Sequence, residues 1–128
     1  MRLLTLPPTA RDGAMTAKVM GRAGVTTLPC ADVAALADGI REGAGAVLIS
    51  EEAALMHHEQ LRRVIAEQPT WSDLPVIVLT RAGADSLEID RVLESLGNVT
   101  LMDRPVRIAA LVSVVRTALR ARARQYQM

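Results

Sequence analysis

The chain has 128 residues, half of them hydrophobic, which is enough apolar material for one core without disulfide or metal support. Trp71 and Tyr126 are its only aromatic residues and the formal net charge is +1, so bases find little to stack on and phosphates no broad attraction; nucleic acid is excluded as a main partner. Cys30 is the single cysteine, which rules out an internal disulfide or a multi-thiolate zinc site, and no apolar run nears the ~18 residues of a membrane span, so a reducing cytoplasm without membrane insertion is the expected setting.

Leu3 to Leu6 is a short apolar run that Pro7-Pro8 stops, and reads as a first strand. Thr9 is a helix N-cap, with Asp12 near the positive helix end and Met15, Val19 and Met20 at helical spacing until Gly24. Val25 to Leu28 form a second strand. Val33, Leu36, Ala37 and Ile40 mark a second helix closed by Gly43, and Ala46-Val47-Leu48-Ile49 reads as a strand buried on both faces.

Ser50 and Glu51-Glu52 begin a third helix, whose stripe of Leu55, Leu61, Val64 and Ile65 runs toward Pro69. Pro75 to Thr80 is the clearest strand, apolar and β-branched. Asp85 and Ser86 are placed to cap a helix carrying Leu87, Val92, Leu93 and Leu96, which Gly97 ends. Val99 to Met102 form a fifth strand before Asp103-Arg104-Pro105. From Val106 a last helix carries Ile108, Leu111, Val112, Val115 and Leu119, and runs out into Arg120-Ala121-Arg122-Ala123-Arg124. Five alternations of strand and helix predict an α/β fold, a five-stranded parallel sheet with helices on both faces.

In such a sheet the functional crevice lies beyond the carboxyl ends of the strands. Those ends present Pro7 and Pro8, then Ser50 and Glu51, then Thr80 and Arg81, then Asp103, Arg104 and Pro105. The element order resembles the receiver domains of two-component response regulators across nearly the whole chain. The resemblance is most specific in Pro75-Val76-Ile77-Val78-Leu79-Thr80, similar to the family's fourth strand ending in a hydroxyl, and in Arg104-Pro105, similar to its Lys-Pro pair. It implies a flavodoxin-like (βα)5 fold with strand order 2-1-3-4-5.

The family's active members use an aspartate after the third strand as phosphoacceptor and acidic residues after the first to hold magnesium. Here Ser50 falls at the acceptor position and Pro7-Pro8 at the acidic pair. A neutral hydroxyl needs a base to become a nucleophile, and proline side chains offer a hard dication no oxygen. The expectation is a pocket of Pro7, Pro8, Ser50, Glu51, Thr80, Arg104 and Pro105 that takes no metal, cofactor or phosphoryl group. Glu51 is then either a fixed negative charge facing Arg104 or a complement to the helix start; Arg104 is expected to pair with Glu51 or Asp103. Two alternatives stay open: phosphoryl acceptance at Ser50 or Glu51, and a small ligand in the vacated pocket. His57-His58 do not make a metal site, because adjacent helical residues point about 100° apart.

The stretch from Leu74 to Arg124, with Asn98-Val99-Thr100-Leu101, Arg104-Pro105 and the Arg-rich end, resembles degenerate receivers at the amino end of bacterial sensor histidine kinases. This implies a non-enzymatic domain over residues 1–121, with 122–128 an outgoing helix or linker toward a further domain, although a solvated terminus also fits. The implied partner is protein: other domains of the same kinase, a second copy, or both. The expected self-association face comprises Leu101, Ile108, Leu111, Val112 and Val115.

Overall fold

A computed structural model describes residues 1–81 and 87–127. Among them, the elements are β1 (Leu3–Thr5), α1 (Ala10–Arg22), β2 (Thr27–Pro29), α2 (Val33–Gly43), β3 (Ala46–Ser50), α3 (Glu51–Met56), α4 (His58–Ala66), β4 (Val76–Thr80), α5 (Leu87–Glu94), β5 (Val99–Asp103) and α6 (Ile108–Gln127). The strands form one parallel sheet in the order β2-β1-β3-β4-β5, the flavodoxin-like arrangement expected from the sequence.

Successive residues of a strand face opposite sides, so the uninterrupted apolar runs feed two cores. Leu4, Val47, Ile49, Val76 and Val78 pack with Leu36 and Ile40 of α2, Leu61 and Val64 of α4, and Leu93 of α5. Leu3, Ala46, Leu48 and Ile77 pack on the other side with Met20 of α1 and Val115 of α6. The first of these cores is the larger.

Local chemistry sets the boundaries. Thr9 caps α1 by accepting from Asp12 N at 3.1 Å, and its own hydroxyl donates to Asp12 Oδ2 at 3.0 Å. Gly24 adopts φ 80°, a conformation glycine tolerates without steric cost, and Val25 N returns to Met20 O at 3.0 Å. This turn keeps Val25 out of β2 and buries it in the second core, which is why β2 starts at Thr27, two residues later than the sequence predicts. Pro29 is accommodated because β2 is an edge strand.

Two further differences bear on the site. The single helix expected after β3 is two, α3 and α4, hinged at His57, whose φ of −113° and ψ of 17° leave the helical region. The neighbouring His58 Nδ1 lies 3.1 Å from Leu55 O, taking a carbonyl that a continuous helix would give to the residue 59 amide. The last helix begins at Ile108 rather than Val106, leaving residues 104 to 107 to turn the corner after β5. The cap expected from Asp85 and Ser86 lies outside the described residues.

The expected boundary between 121 and 122 falls within a continuous α6, and Arg122 is wholly buried. Arg122, the first residue of the expected outgoing helix, is thus packed into the folded body. Gly45 allows α6 to approach this closely: a Cβ there would sit 2.5 Å from Leu119 Cδ2 and 3.0 Å from Arg2 O.

Candidate functional site

Strand register decides which side chains meet. Thr5 lies beside Leu48, Ser50 beside Leu79, and Thr80 beside Asp103, so the residues following β1, β3, β4 and β5 collect at one end of the sheet. A cavity of about 160 Å³ opens there between Thr5, Pro7, Pro8, Thr16, Ser50 and Arg104, with Leu48 and Leu79 behind them.

Ser50 is occupied in a structural role: its Oγ accepts from Ala53 N at 3.2 Å and caps α3. Glu51 turns inward, only 2% exposed, and accepts from Arg81 Nε at 3.0 Å. Glu52 receives the fork of Arg104, with Nη1 donating to Oε2 at 3.1 Å and Nη2 making a second, shorter bond to Oε1. Arg104 Nε donates to Thr80 O at 3.1 Å, anchoring the fork to the end of β4. The Thr80 hydroxyl lies 2.5 Å from Asp103 Oδ1 and 3.3 Å from Met102 O.

The expected pairing of Arg104 with Glu51 or Asp103 is therefore corrected: its carboxylate partner is Glu52. Consecutive helical residues diverge by about 100°, so Glu51 takes its hydrogen bond from Arg81 and Glu52 from Arg104, while Arg81 Nε stands 3.9 Å from Glu52 Oε1 as a longer second ion pair and Asp103 is engaged by Thr80. The bidentate geometry anticipated for an arginine at position 104 is present with that different partner. Pro105 follows through a cis peptide bond.

The Arg104 hydrogen bond holds the Glu52 carboxyl below its ordinary 4.5, and the same bond raises the Arg104 guanidinium. The sign for stability follows. A carboxyl depressed in the folded state contributes fully above its unfolded value, and the contribution disappears as pH falls through the depressed folded value. Urea unfolding between pH 6 and pH 2 should therefore show a smaller acid loss for Glu52→Gln than for the parent. Because both partners are partly exposed, the expected difference near neutrality is only about 0.5 kcal/mol, vanishing at the acid end.

The candidate interface residues separate into two groups. Leu101 on β5 is 39% exposed and Ile108 at the start of α6 is 62% exposed. Leu111 and Val112 are half-buried against the second core. Val115 is fully buried among Leu3, Leu48 and Ile77 and cannot meet a partner, which corrects its assignment to the face. Leu87, one of the apolar residues named from sequence for this helix, stands at the start of α5 and is 75% exposed.

Among the described residues, no group of three histidine, cysteine, aspartate or glutamate side chains is arranged to hold a metal ion. His58 Nε2 approaches Glu59 at 3.4 Å on the solvated side of α4. Sequence reasoning gave Glu52 no role beyond the helix start and Arg81 none beyond its strand end. Their signal was present, since an acidic pair after one strand and arginines after the next two must meet once the strand order is known.

No family model and no curated protein matches the chain. Solved structures do. A response regulator receiver domain protein (CheY-like) from Methanospirillum hungatei superposes with a TM-score of 0.75 at 19% identity, over 97% of each chain. The chain has the receiver fold. The chemotaxis protein CheY4 of Vibrio cholerae gives a TM-score of 0.72 at 16% identity, over 91% of this chain and 97% of that one. NtrX from Brucella abortus, solved in complex with ADP, gives 0.74 at 16% identity over 99% of this chain. The chain spans only 28% of NtrX, against nearly the full length of the other two. Among the described residues, no helix of this receiver-like chain is long and apolar enough to cross a membrane.

Proposed function

We propose that this chain is a non-phosphorylatable receiver-like domain that regulates a signalling protein through protein contact. The observation that carries the reading is the commitment of the crevice's carboxylates: Glu51 is bound by Arg81 and Glu52 by Arg104. A receiver that accepts phosphate needs free acidic oxygens around a magnesium ion. Pro7 and Pro8 supply none, the Ser50 hydroxyl caps α3, and Asp12 accepts from Thr9. This donor set does not fit a hard dication.

With the chemistry absent, the scaffold retains its surfaces. The exposed apolar side chains of α5, β5 and α6, namely Leu87, Leu101 and Ile108, favour association with a second copy of the domain. On this reading the domain is cytoplasmic and serves a histidine kinase, as the sequence resemblance implies, with kinase activity residing in a separate domain.

Incubation with magnesium and a small phosphodonor, followed by intact-mass analysis, is expected to show no phosphoryl addition, and Ser50→Asp alone is expected to change nothing. A single phosphoryl group mapped to Ser50 or Glu51 would overturn the reading. Sedimentation over a wide concentration range tests self-association: the parent should dimerise, and Leu101→Asp with Ile108→Asp should weaken the dimer by about a hundredfold or more. A parent that stays monomeric throughout would remove the dimer.

A further inference from the structure

Charge is divided unevenly between the two helix layers. Helices α1 and α6 pack on the same side of the sheet, and together they hold seven of the 15 Lys and Arg residues but one of the 14 Asp and Glu residues. That carboxylate, Asp12, is bonded to Thr9. Arg122 is buried, while the other six cations, Arg11, Lys18, Arg22, Arg116, Arg120 and Arg124, are all exposed. Arg11, Lys18 and Arg22 recur at helical spacing on the side of α1 opposite its buried Gly13 and Met20, and Arg116, Arg120 and Arg124 follow one another every four residues along α6. Arg116 Nη2 donates to the carbonyl of Ala23, the C-cap of α1, at 2.6 Å, so the two rows adjoin. Among the described residues none of the six forms an ion pair, whereas acids of the other layer are paired with Arg2, Arg41, Arg62, Arg81 and Arg104.

We infer that this basic face rests on an anionic lipid surface, held there by charge and without insertion. Charge complementarity requires an acidic partner, and the shape and composition of the face select among acidic partners. Two helices in one layer share a tangent plane, so both rows can reach a flat sheet of headgroups at once, whereas a duplex cylinder would meet them along a single line. The rows carry no aromatic side chain on which a base could stack. A protein partner is anchored by large apolar or aromatic groups near the centre of the contact. Here Met15 is the only exposed large apolar residue of α1, and those of α6, Ile108 and Tyr126, stand at its two ends. The carboxylates of α2 to α5 do not cancel the attraction, because they belong to the layer across the sheet. One helix diameter of about 10 Å already exceeds the Debye length of about 8 Å at physiological salt. A domain of net charge +1 thus holds an anionic surface through one side alone. This contact would set which face of the domain turns toward a membrane. It goes beyond the protein-contact reading and stands whether or not the domain dimerises or accepts phosphate.

Co-sedimentation of the 128-residue chain with vesicles tests this. Phosphatidylcholine vesicles containing about 30% phosphatidylserine should capture the protein at about 0.1 M salt and release it at about 0.5 M, and pure phosphatidylcholine vesicles should not capture it. Each cation at an anionic surface contributes about fivefold in affinity, so Arg22→Gln with Arg120→Gln, one from each row, should weaken binding by about thirtyfold. Arg63→Gln with Arg91→Gln removes the same charge from α4 and α5, in the other layer, and should stay within about twofold of the parent. All four side chains are exposed, so circular dichroism should show both variants folded. Protein left in the supernatant with both vesicle types, or equal weakening by the two double variants, would overturn the proposal. So would tighter binding, at equal concentration of negative charge, to a mixed-sequence DNA duplex or to polyglutamate, which would give the face to nucleic acid or to an acidic protein. None of these outcomes alters the phosphorylation or self-association tests.

Discussion

Arg122→Ala is expected to lower the unfolding free energy by about 3–4 kcal/mol, the largest loss from any single charged residue among the described ones. The side chain is completely buried near the end of α6. Its Nε donates to Ala44 O at 3.0 Å, and Nη1 donates to Ser72 Oγ at 2.6 Å and to Gln125 Oε1 at 2.7 Å. Nη2 donates to Tyr126 Oη at 3.3 Å. The guanidinium carbon lies 4.8 Å from the Tyr126 ring centroid and 5.7 Å from that of Trp71, and those two rings meet edge to face at 4.9 Å. Gln125 completes the clamp by accepting from Asp73 N at 2.8 Å and donating to Asp73 O at 2.9 Å.

No carboxylate pairs with Arg122 among the described residues, so its charge is stabilised by neutral dipoles and two aromatic faces. Truncation would leave Ala44 O and Ser72 without that donor and open a hole between α6 and the loop before β4. Arg122→Lys should recover only part of the loss, because an ammonium cannot reproduce the planar fork. Urea unfolding gives the magnitude. Trp71 is the only tryptophan, so its emission should report the opened clamp in the folded variant. An Arg122→Ala protein that unfolds within about 0.5 kcal/mol of the parent would show the clamp to be energetically idle.

Arg81→Ala should cost about 2 kcal/mol, a smaller loss with a more specific signature. Arg81 is itself exposed, but Glu51 is buried and its carboxylate accepts from Arg81 Nε. Removing the arginine leaves a buried charge without that partner, which is where the penalty arises. Glu51→Gln in the Arg81→Ala background should therefore restore about half of the loss or more. In a double-mutant cycle the coupling should exceed that of Glu52 with Arg104, where both partners are partly exposed and neither carboxylate nor guanidinium is buried as Glu51 is. Equal couplings for the two pairs would mean that the burial of Glu51 has no energetic consequence.

The fold was legible because its signals are local and repeated. Continuous apolar runs such as Ala46 to Ile49 and Val76 to Leu79 identify strands buried on both faces, and glycines or prolines separate them from helical spacings. Boundaries were less legible where a tertiary contact competed with local pattern. Val25 looks like a strand residue but is captured by the turn at Gly24, and His57 breaks a pattern that carries no proline or glycine.

The site was legible as a place rather than as a set of bonds. Its strand-end residues follow from topology, whereas the choice between Glu51 and Glu52 for Arg104 depends on helix phase after Ser50. Leu87 and Val115 show the same limit within the helices. Periodicity puts each on an apolar stripe, but only the seating of its helix leaves Leu87 in solvent and Val115 in the core.

By itself, then, the sequence determined the order of strands and helices, the parallel sheet, and the absence of carboxylates at Pro7, Pro8 and Ser50, because side-chain chemistry and hydrophobic period are properties of neighbouring positions. Only the tertiary structure decided that Arg104 takes Glu52, that Arg116 of α6 meets the end of α1, and that Arg122 is a core residue rather than the start of an outgoing helix. Each of these depends on groups from separate elements arriving within about 3 Å of one another, and at that range strand register and helix phase select the partner.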